Sequence, residues 1–229
     1  MLDMATDPHI SHRFDDELEE LRGCIMAMTE QIRRRYAAAT DPLLTGKQMS
    51  ANALAQDDSE IEQKQRLIEE TCDLILVRRQ PTARDMRFVV ACIRISNDLG
   101  RLHAHINKIA EAVVRVGTRD LGILARHHEL NRATLIAQDM LQAAQQAFAA
   151  ADAEAAQTLE GMDEEINSAS RVIIRHQLTY MMESPQVVAS AVDALLIVRS
   201  IERIGDYAKN IAHLVRYMRL GRDTGELQI

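Results

Sequence analysis

Residues 198–211 read VRSIERIGDYAKNI and lie within a long helical pattern near the end of the chain. Apolar and small side chains recur here at steps of three and four residues, which places them on one face of an α-helix. The pattern continues for about eight turns, so we expect a helix that packs along its whole length. Its members are Val187, Ala191, Ala194, Val198, Ile201, Gly205, Ala208, Ala212 and Val215.

Two carboxylates, Glu202 and Asp206, lie one turn apart in the row beside this apolar face. We therefore expect them to flank a buried surface and to be partly removed from water. Like charges four residues apart on a helix repel each other, and more strongly when desolvated. Two ways of compensating the negative charge of this pair stay open. One is a hard cation held by carboxylate oxygens, and the other is Arg199 and Arg203, each three residues before an acid.

Composition favours an all-helical protein. Hydrophobic residues make up 47% of the 229 residues and aromatic residues only 3%, with no Trp and four Pro. The net charge is −7 and no large Lys/Arg cluster occurs, which argues against nucleic-acid binding. No apolar stretch is long enough for direct membrane insertion, and no secretory signal is visible. Cys24, Cys72 and Cys92 share no metal or redox spacing, so we expect small core residues in a reducing cytosol.

Helical periodicity and breaks predict six long helices joined by short connections. Their approximate ranges are 11–39, a start between 46 and 50 running to 79, 82–117, 120–150, 152–183 and 185–220. Helices of this length are stable only when they pack side by side. The prediction is an all-α fold with an N-terminal three-helix repeat at 9–117, a C-terminal one at 118–220, and flexible tails at 1–8 and 221–229.

Internal similarity supports the repeat. The segment YAAA at 36–39 matches FAAA at 148–151, DSEI at 58–61 matches DEEI at 163–166, and RL at 101–102 matches RI at 203–204. We therefore expect a tandem pair with pseudo-twofold character. The positions that correspond to Glu202 and Asp206 in the first half are Gly100 and Ala104, so the carboxylate pair is present only in the second half.

Several separated segments together resemble the PhoU family. They are HISHRFDDELEEL (9–21), RRQPTARDMR (78–87), LTYMME (178–183) and RSIERIGDYAKNI (199–211). The resemblance covers almost the whole chain and implies two three-helix bundles in a homodimer. It also implies a cytoplasmic negative regulator of phosphate uptake and phosphate-starvation signalling. As an adaptor, the protein would contact the ATPase subunit of the phosphate ABC transporter and a sensor histidine kinase.

The resemblance also implies metal binding through acidic motifs on the third helix of each repeat, with help from acids on neighbouring helices. Glu202 and Asp206 match the motif, and Glu69 stands where the family has an acid. In the first half, Gly100 and Ala104 replace the motif and are predicted not to ligate. Gln65, Asn167 and Arg171 also stand at acidic positions of the family. No cofactor is therefore required, while one divalent or ferric cation at Glu202 and Asp206 stays open.

Two other functions stay open. A PhoU-like paralogue would keep the fold and regulate another transporter or a metal response. A metal-dependent hydrolase or oxidase would use the acids of the second half. Against the enzyme, the chain lacks the Glu-x-x-His pairs of di-iron bundles, a Gly-rich phosphate loop and a G-x-S-x-G nucleophile motif. We therefore expect no catalytic residues.

Overall fold

The computed structural model describes residues 8–49, 58–116 and 118–221. Of the predicted tails, only Pro8 and Gly221 belong to these ranges, and the remaining tail residues lie outside the described residues. Throughout the described part of the chain the regular elements are helices, with no β-strand. The all-α fold class is confirmed. Among the helices in these ranges, none combines the length and the apolarity needed to traverse a lipid bilayer.

The described ranges contain six long helices, a short helix before the fourth of them and one 3-10 turn at Pro185–Val187. In chain order they are α1 (Pro8–Thr45), α2 (Asp58–Arg79), α3 (Ala83–Arg115), the short α4 (Thr118–Leu124), α5 (His128–Ala150), α6 (Ala155–Glu183) and α7 (Val188–Leu220). Thr82 precedes α3 as predicted, and its hydroxyl donates to Asp85 Oδ2 at 3.0 Å. Gly221 ends α7 with a φ of 68°, a left-handed conformation that glycine adopts without strain.

The helices pack as two groups of three. Helices α1, α2 and α3 contact one another, and so do α5, α6 and α7. The groups meet mainly where α3 packs along α7, and α1 also contacts α5. The apolar face predicted for α7 is buried from Ala191 to Val215, because it is covered by α3, α5 and α6. Cys72 and Cys92 are core residues as predicted, whereas Cys24 is only half-buried.

Residues related by the sequence repeat meet between the two groups. Arg33 Nη1 donates to Gln145 Oε1 at 2.7 Å, and these residues are 112 positions apart, the offset found between the first helices of the repeats. His105 and Tyr207 have the offset found for the third helices, and their ring centroids lie 5.9 Å apart. Contacts between equivalent positions are what a pseudo-twofold axis produces. The exact domain boundaries stay a prediction.

The predicted end of the first helix was wrong because tertiary packing outweighs a local signal. Helix α1 continues through Pro42 to Thr45, where the fully buried Leu43 anchors the last turn. Pro42 still accepts a hydrogen bond from Gly46 N at 2.9 Å. Residues 46–49 are not helical, so the second helix does not begin there. It is described from Asp58 onwards, and residues 50–57 lie outside the described ranges.

The predicted fourth helix begins eight residues later than expected, because residues 125–127 interrupt it. His127 has an extended backbone, with φ −81° and ψ 100°. The break is stabilised locally, since Asn131 Nδ2 donates to the carbonyl oxygen of Ala125 at 2.8 Å. His127 N also donates to Leu124 O at 2.9 Å. The segment before the break forms α4, which folds as a separate short helix.

Candidate functional site: a carboxylate cluster between α6 and α7

The close approach of α6 and α7 at Gly205 positions the candidate site. A Cβ atom at Gly205 would lie 3.1 Å from Ile166 Cδ1 and 3.3 Å from Asp163 Oδ1, so even a methyl group would crowd the neighbouring helix. This contact places Asp163 of α6 beside the acidic row of α7. The site therefore contains a third carboxylate, supplied by a different helix from Glu202 and Asp206.

Glu202 is buried, with 9% of its surface exposed, and Asp206 is half-buried. Both flank the buried face, as predicted. Arg199 Nη1 donates to Glu202 Oε2 at 2.8 Å, and Arg203 Nη1 donates to Asp206 Oδ2 at 3.4 Å. Both arginine contacts anticipated from the three-residue spacing are thus present.

Lys209 links the two helices through the cluster. Its Nζ donates to Asp163 Oδ2 at 2.5 Å and lies 3.7 Å from Asp206 Oδ1. Asn167 Nδ2 makes a weaker contact with the same Asp163 oxygen at 3.4 Å. The other oxygen of Asp163, Oδ1, is buried and has no hydrogen-bond partner within the described ranges. The ammonium group therefore lies between two carboxylates, where a bound cation would otherwise compensate their charge.

The electrostatics of Asp206 follow from this packing. Burial raises the pKa of Asp206 above its ordinary value, and the charge of Asp163 raises it further. Lys209 and Arg203 act in the opposite direction, and Glu202 adds a small further increase. Three carboxylates and three side-chain cations thus share the site, and the cluster is close to neutral without any added ion.

The residues fit a multinuclear metal centre poorly. Within the described ranges, no three His, Cys, Asp or Glu side chains converge in a way that could hold a metal ion. The ammonium of Lys209 takes the position between Asp163 and Asp206, and such a donor would have to move before an ion entered. Metal ligation by Glu202 and Asp206 stays a prediction.

Glu69 belongs to the other half of the molecule. It accepts a hydrogen bond at 3.1 Å from Gln65 Nε2, which also reaches Asn97 Oδ1 on α3 at 3.3 Å. Gln65 lies over Gly100, because a Cβ atom there would be 2.5 Å from Gln65 Oε1. The structure therefore brings Glu202 and Asp206 together and places Glu69 elsewhere, beside Gln65 in the first half of the molecule. Gly100 and Ala104 line a groove there together with Gln65.

Two functional-site residues were missed from the sequence. Asp163 was noticed only as part of the DSEI/DEEI repeat, because nothing local indicates that it faces α7. Lys209 stands three residues after Asp206, so a search for i, i+3 pairs in both directions would have found it. A further buried acid, Asp98 on α3, accepts a hydrogen bond from Asn210 Nδ2 of α7 at 2.5 Å, and burial raises its pKa.

Comparison with known proteins gives a consistent result. The PhoU domain family model matches residues 25–113 and again residues 130–215, one match in each half. The phosphate-specific transport system accessory protein PhoU homolog of Pseudomonas aeruginosa is 33% identical over 218 residues, which are 94% of this chain and 88% of that protein. The PhoU protein of Escherichia coli is 30% identical over 216 residues, with 94% and 88% covered.

Comparison with solved structures identifies the same family. The crystal structure of PhoU from Pseudomonas aeruginosa superposes with a TM-score of 0.81 at 30% identity, covering 91% of this chain and all of that one (100%). The phosphate transport system regulatory protein PhoU from Streptococcus pneumoniae gives a TM-score of 0.83 at 25% identity, with 93% and 99% covered. These relatives are named as accessory or regulatory proteins, and the chain is grouped with them and not with enzymes. Two matched repeats, the helical fold and the extent of the similarity together show that this chain belongs to the PhoU family.

Proposed function

We propose that this protein is a regulatory accessory protein of a phosphate-specific transport system. The observation that carries the proposal is the near full-length similarity to proteins named for that role, at 33% identity for the Pseudomonas aeruginosa relative. The protein acts in the cytoplasm as a negative regulator of phosphate uptake and of phosphate-starvation genes. It works by contact: as a homodimer, it binds the ATPase subunit of the phosphate ABC transporter and a sensor histidine kinase.

An exposed apolar row on α7 supports a role in docking. Val188, Val192 and Leu196 are spaced by four residues, so they share one helix face, and all three are exposed. Large apolar side chains grouped on a surface are typical of protein–protein contact sites. We call Val188, Val192 and Leu196 the α6/α7 apolar face, because they lie on α7 where it packs beside α6, and propose that the transporter ATPase subunit binds there.

Three exposed apolar residues of the first repeat, on α2 and α3, have exposed apolar counterparts in the second repeat. Leu67, Val77 and Met86 are exposed in the first half, and at the repeat offsets they correspond to Val172, Met182 and Val188, which are exposed in the second. Packing of the core does not require exposed apolar groups. Their presence at equivalent positions supports a shared role in contact with partners.

The carboxylate cluster has a structural role in this proposal. Lys209 bridges α6 and α7, and the charges of Glu202 and Asp206 are compensated by Arg199 and Arg203. We propose that a cation is not required for the regulatory contact. Any divalent or ferric ion at Glu202 and Asp206 would bind weakly, in competition with these side chains.

A complementation experiment tests the proposal. The gene is deleted in the source organism, and a phosphate-starvation reporter is followed in phosphate-rich medium. Deletion should switch the reporter on, and the wild-type gene should switch it off again. A Val192→Asp/Leu196→Asp variant should fail to restore repression, since it places charge on the α6/α7 apolar face.

Leu135→Asp is the matched control, because Leu135 is also an exposed leucine but lies on α5. It should repress like the wild type. A reporter that stays off after deletion would contradict the proposed regulation. Full repression by the double aspartate variant would contradict the proposed docking face. Protein levels are compared by immunoblot, so that loss of the protein is not mistaken for loss of contact.

A further inference from the structure

A cavity of about 430 Å³ lies at the break between α4 and α5, close to the end of α6 and the beginning of α7. Its volume is within the range of small-molecule binding sites. Ile123, Leu124, Val187 and Ala191 supply apolar walls. Ala191 precedes Glu202 by 11 residues on the same helix, a distance of roughly 16 Å at 1.5 Å per residue. The cavity is therefore separate from the carboxylate cluster.

Gln177 gives this cavity a specific polar group. Only 7% of its surface is exposed, and it lines the cavity from the inner face of α6. Within the described ranges its amide makes no hydrogen bond with the protein, and its oxygen and nitrogen are accessible from the cavity. An amide offers a donor beside an acceptor, so a complementary ligand edge would satisfy both groups.

The mouth of the cavity carries further polar groups of different kinds. His127 Nδ1 is buried and lacks a hydrogen-bond partner in the described chain, while His127 Nε2 lies 3.3 Å from His176 Nδ1. Burial, followed by the neighbouring His176, lowers the pKa of His127, which favours the uncharged imidazole. Arg126 and Asp120 add one cation and one anion, and the half-exposed ring of Tyr180 completes the rim.

We propose that this cavity binds an adenine nucleotide. The apolar walls suit the faces of a base, and Gln177 can pair with the donor–acceptor edge of adenine, a pairing that glutamine makes elsewhere with this base. At the mouth, Asp120 can accept from ribose hydroxyls and Arg126 can bind a phosphate group. The proposal does not depend on the α6/α7 apolar face, and it gives the protein a site for a small-molecule signal.

Isothermal titration of the full chain with AMP tests the proposal. For a ligand of this size in a partly open site, we expect a dissociation constant on the order of 0.1 mM. Adenosine should bind several-fold more weakly because it lacks the phosphate. Inorganic phosphate alone, and an apolar carboxylate such as octanoate, should give no saturable binding.

Gln177→Leu should weaken AMP binding by about tenfold or more, since it removes both hydrogen bonds and keeps the volume similar. The melting temperature of the free variant should not fall, because the amide has no partner in the described chain. Gln63→Leu, on an exposed position of α2, is the matched control and should bind AMP like the wild type. Ala191→Leu provides an independent variant, because it fills the cavity from the opposite wall and should also abolish binding.

Several results would overturn the proposal. One is the absence of saturable AMP binding up to millimolar concentrations. Another is binding that neither Gln177→Leu nor Ala191→Leu weakens, because the nucleotide would then bind elsewhere. Full competition by inorganic phosphate would show an anion site without base recognition. Binding of octanoate but not of adenosine would show that the cavity selects apolar ligands and that the Gln177 amide does not recognise a base.

Discussion

Replacing Lys209 by Met tests the carboxylate cluster most sharply. The ammonium lies 2.5 Å from Asp163 Oδ2 and 3.7 Å from Asp206 Oδ1, and it forms an ion pair with the buried Asp163. A hydrogen bond to a charged group contributes about 1.5–3 kcal/mol, and removing one partner of a fully buried ion pair costs about 3–5 kcal/mol. The Lys209 side chain is 27% exposed, so water replaces part of the interaction. We expect Lys209→Met to lower the free energy of unfolding by about 2–3 kcal/mol at neutral pH.

Thermal and urea denaturation followed by far-UV circular dichroism measure this effect. For a chain of this size, the melting temperature should fall by roughly 4–12 °C. Lys108→Met, at an exposed position of α3, is the control and should stay within about 0.5 kcal/mol of the wild type. Adding Asp163→Asn should restore much of the loss, because the unpaired buried charge disappears together with its partner.

The destabilisation caused by Lys209→Met should depend on pH in a definite direction. The pKa of Asp206 is already raised in the folded protein, and losing Lys209 raises it further, so the folded variant takes up protons more readily than the unfolded chain. The destabilisation should therefore be largest at neutral pH and shrink as the pH falls through the carboxylate pKa values. A divalent cation should stabilise Lys209→Met more than the wild type. A variant as stable as the wild type, or a double variant no better than the single one, would refute the proposed role of Lys209.

Three further predictions concern other parts of the molecule. Gly205→Ala should lower the free energy of unfolding by about 1 kcal/mol, because the new methyl group crowds the contact between α6 and α7. Gly161→Ala should raise it by about 0.5–1 kcal/mol, since nothing lies within 4 Å of the new Cβ and alanine favours the helix. Equal shifts of the two variants in urea denaturation would contradict this. Burial lowers the pKa of His105 to about 4 in the folded protein. As the pH drops from 6.5 towards 4, His105 is therefore protonated in the unfolded chain before it is protonated in the folded one, and the free energy of unfolding should fall by about 1–2 kcal/mol. His105→Phe should flatten that slope, and an unchanged slope would exclude His105 as its cause. Burial raises the pKa of Cys72 to about 12, which makes its thiol unreactive in the folded protein. A thiol reagent should therefore label the half-buried Cys24 first and Cys72 only on unfolding. Mass spectrometry that showed the reverse order would contradict the burial of Cys72 in the core.

The sequence was informative where a pattern is local or repeated. The three- and four-residue spacing around Gly205 identified the buried face of α7, and the same spacing placed Arg199 beside Glu202. The repeat offset of 112 residues equals the separation of Arg33 and Gln145, which the structure brings into contact between the two halves. In each case the period of an α-helix, or two copies of one pattern, determines the result.

Features that depend on contacts between helices were not predictable. Residues 125–127 contain neither Gly nor Pro, so the break before α5 has no local signal and arises from packing and from the Asn131 contact with Ala125. Pro42 is a strong stop signal, but burial of Leu43 outweighs it. The pairing of Asp163 with Lys209 required knowledge of how α6 and α7 align, because the two residues are 46 positions apart.

Regulation by this chain is proposed to depend on docking to the transporter. Its most direct test is the affinity of the purified full chain for the purified ATPase subunit of the phosphate transporter from the same organism, measured by biolayer interferometry. We expect saturable binding at micromolar concentrations or tighter, weakened at least tenfold by Val192→Asp/Leu196→Asp and unaffected by Leu135→Asp. No saturable binding by the folded wild-type protein, or equal binding by the variant and the wild type, would contradict it.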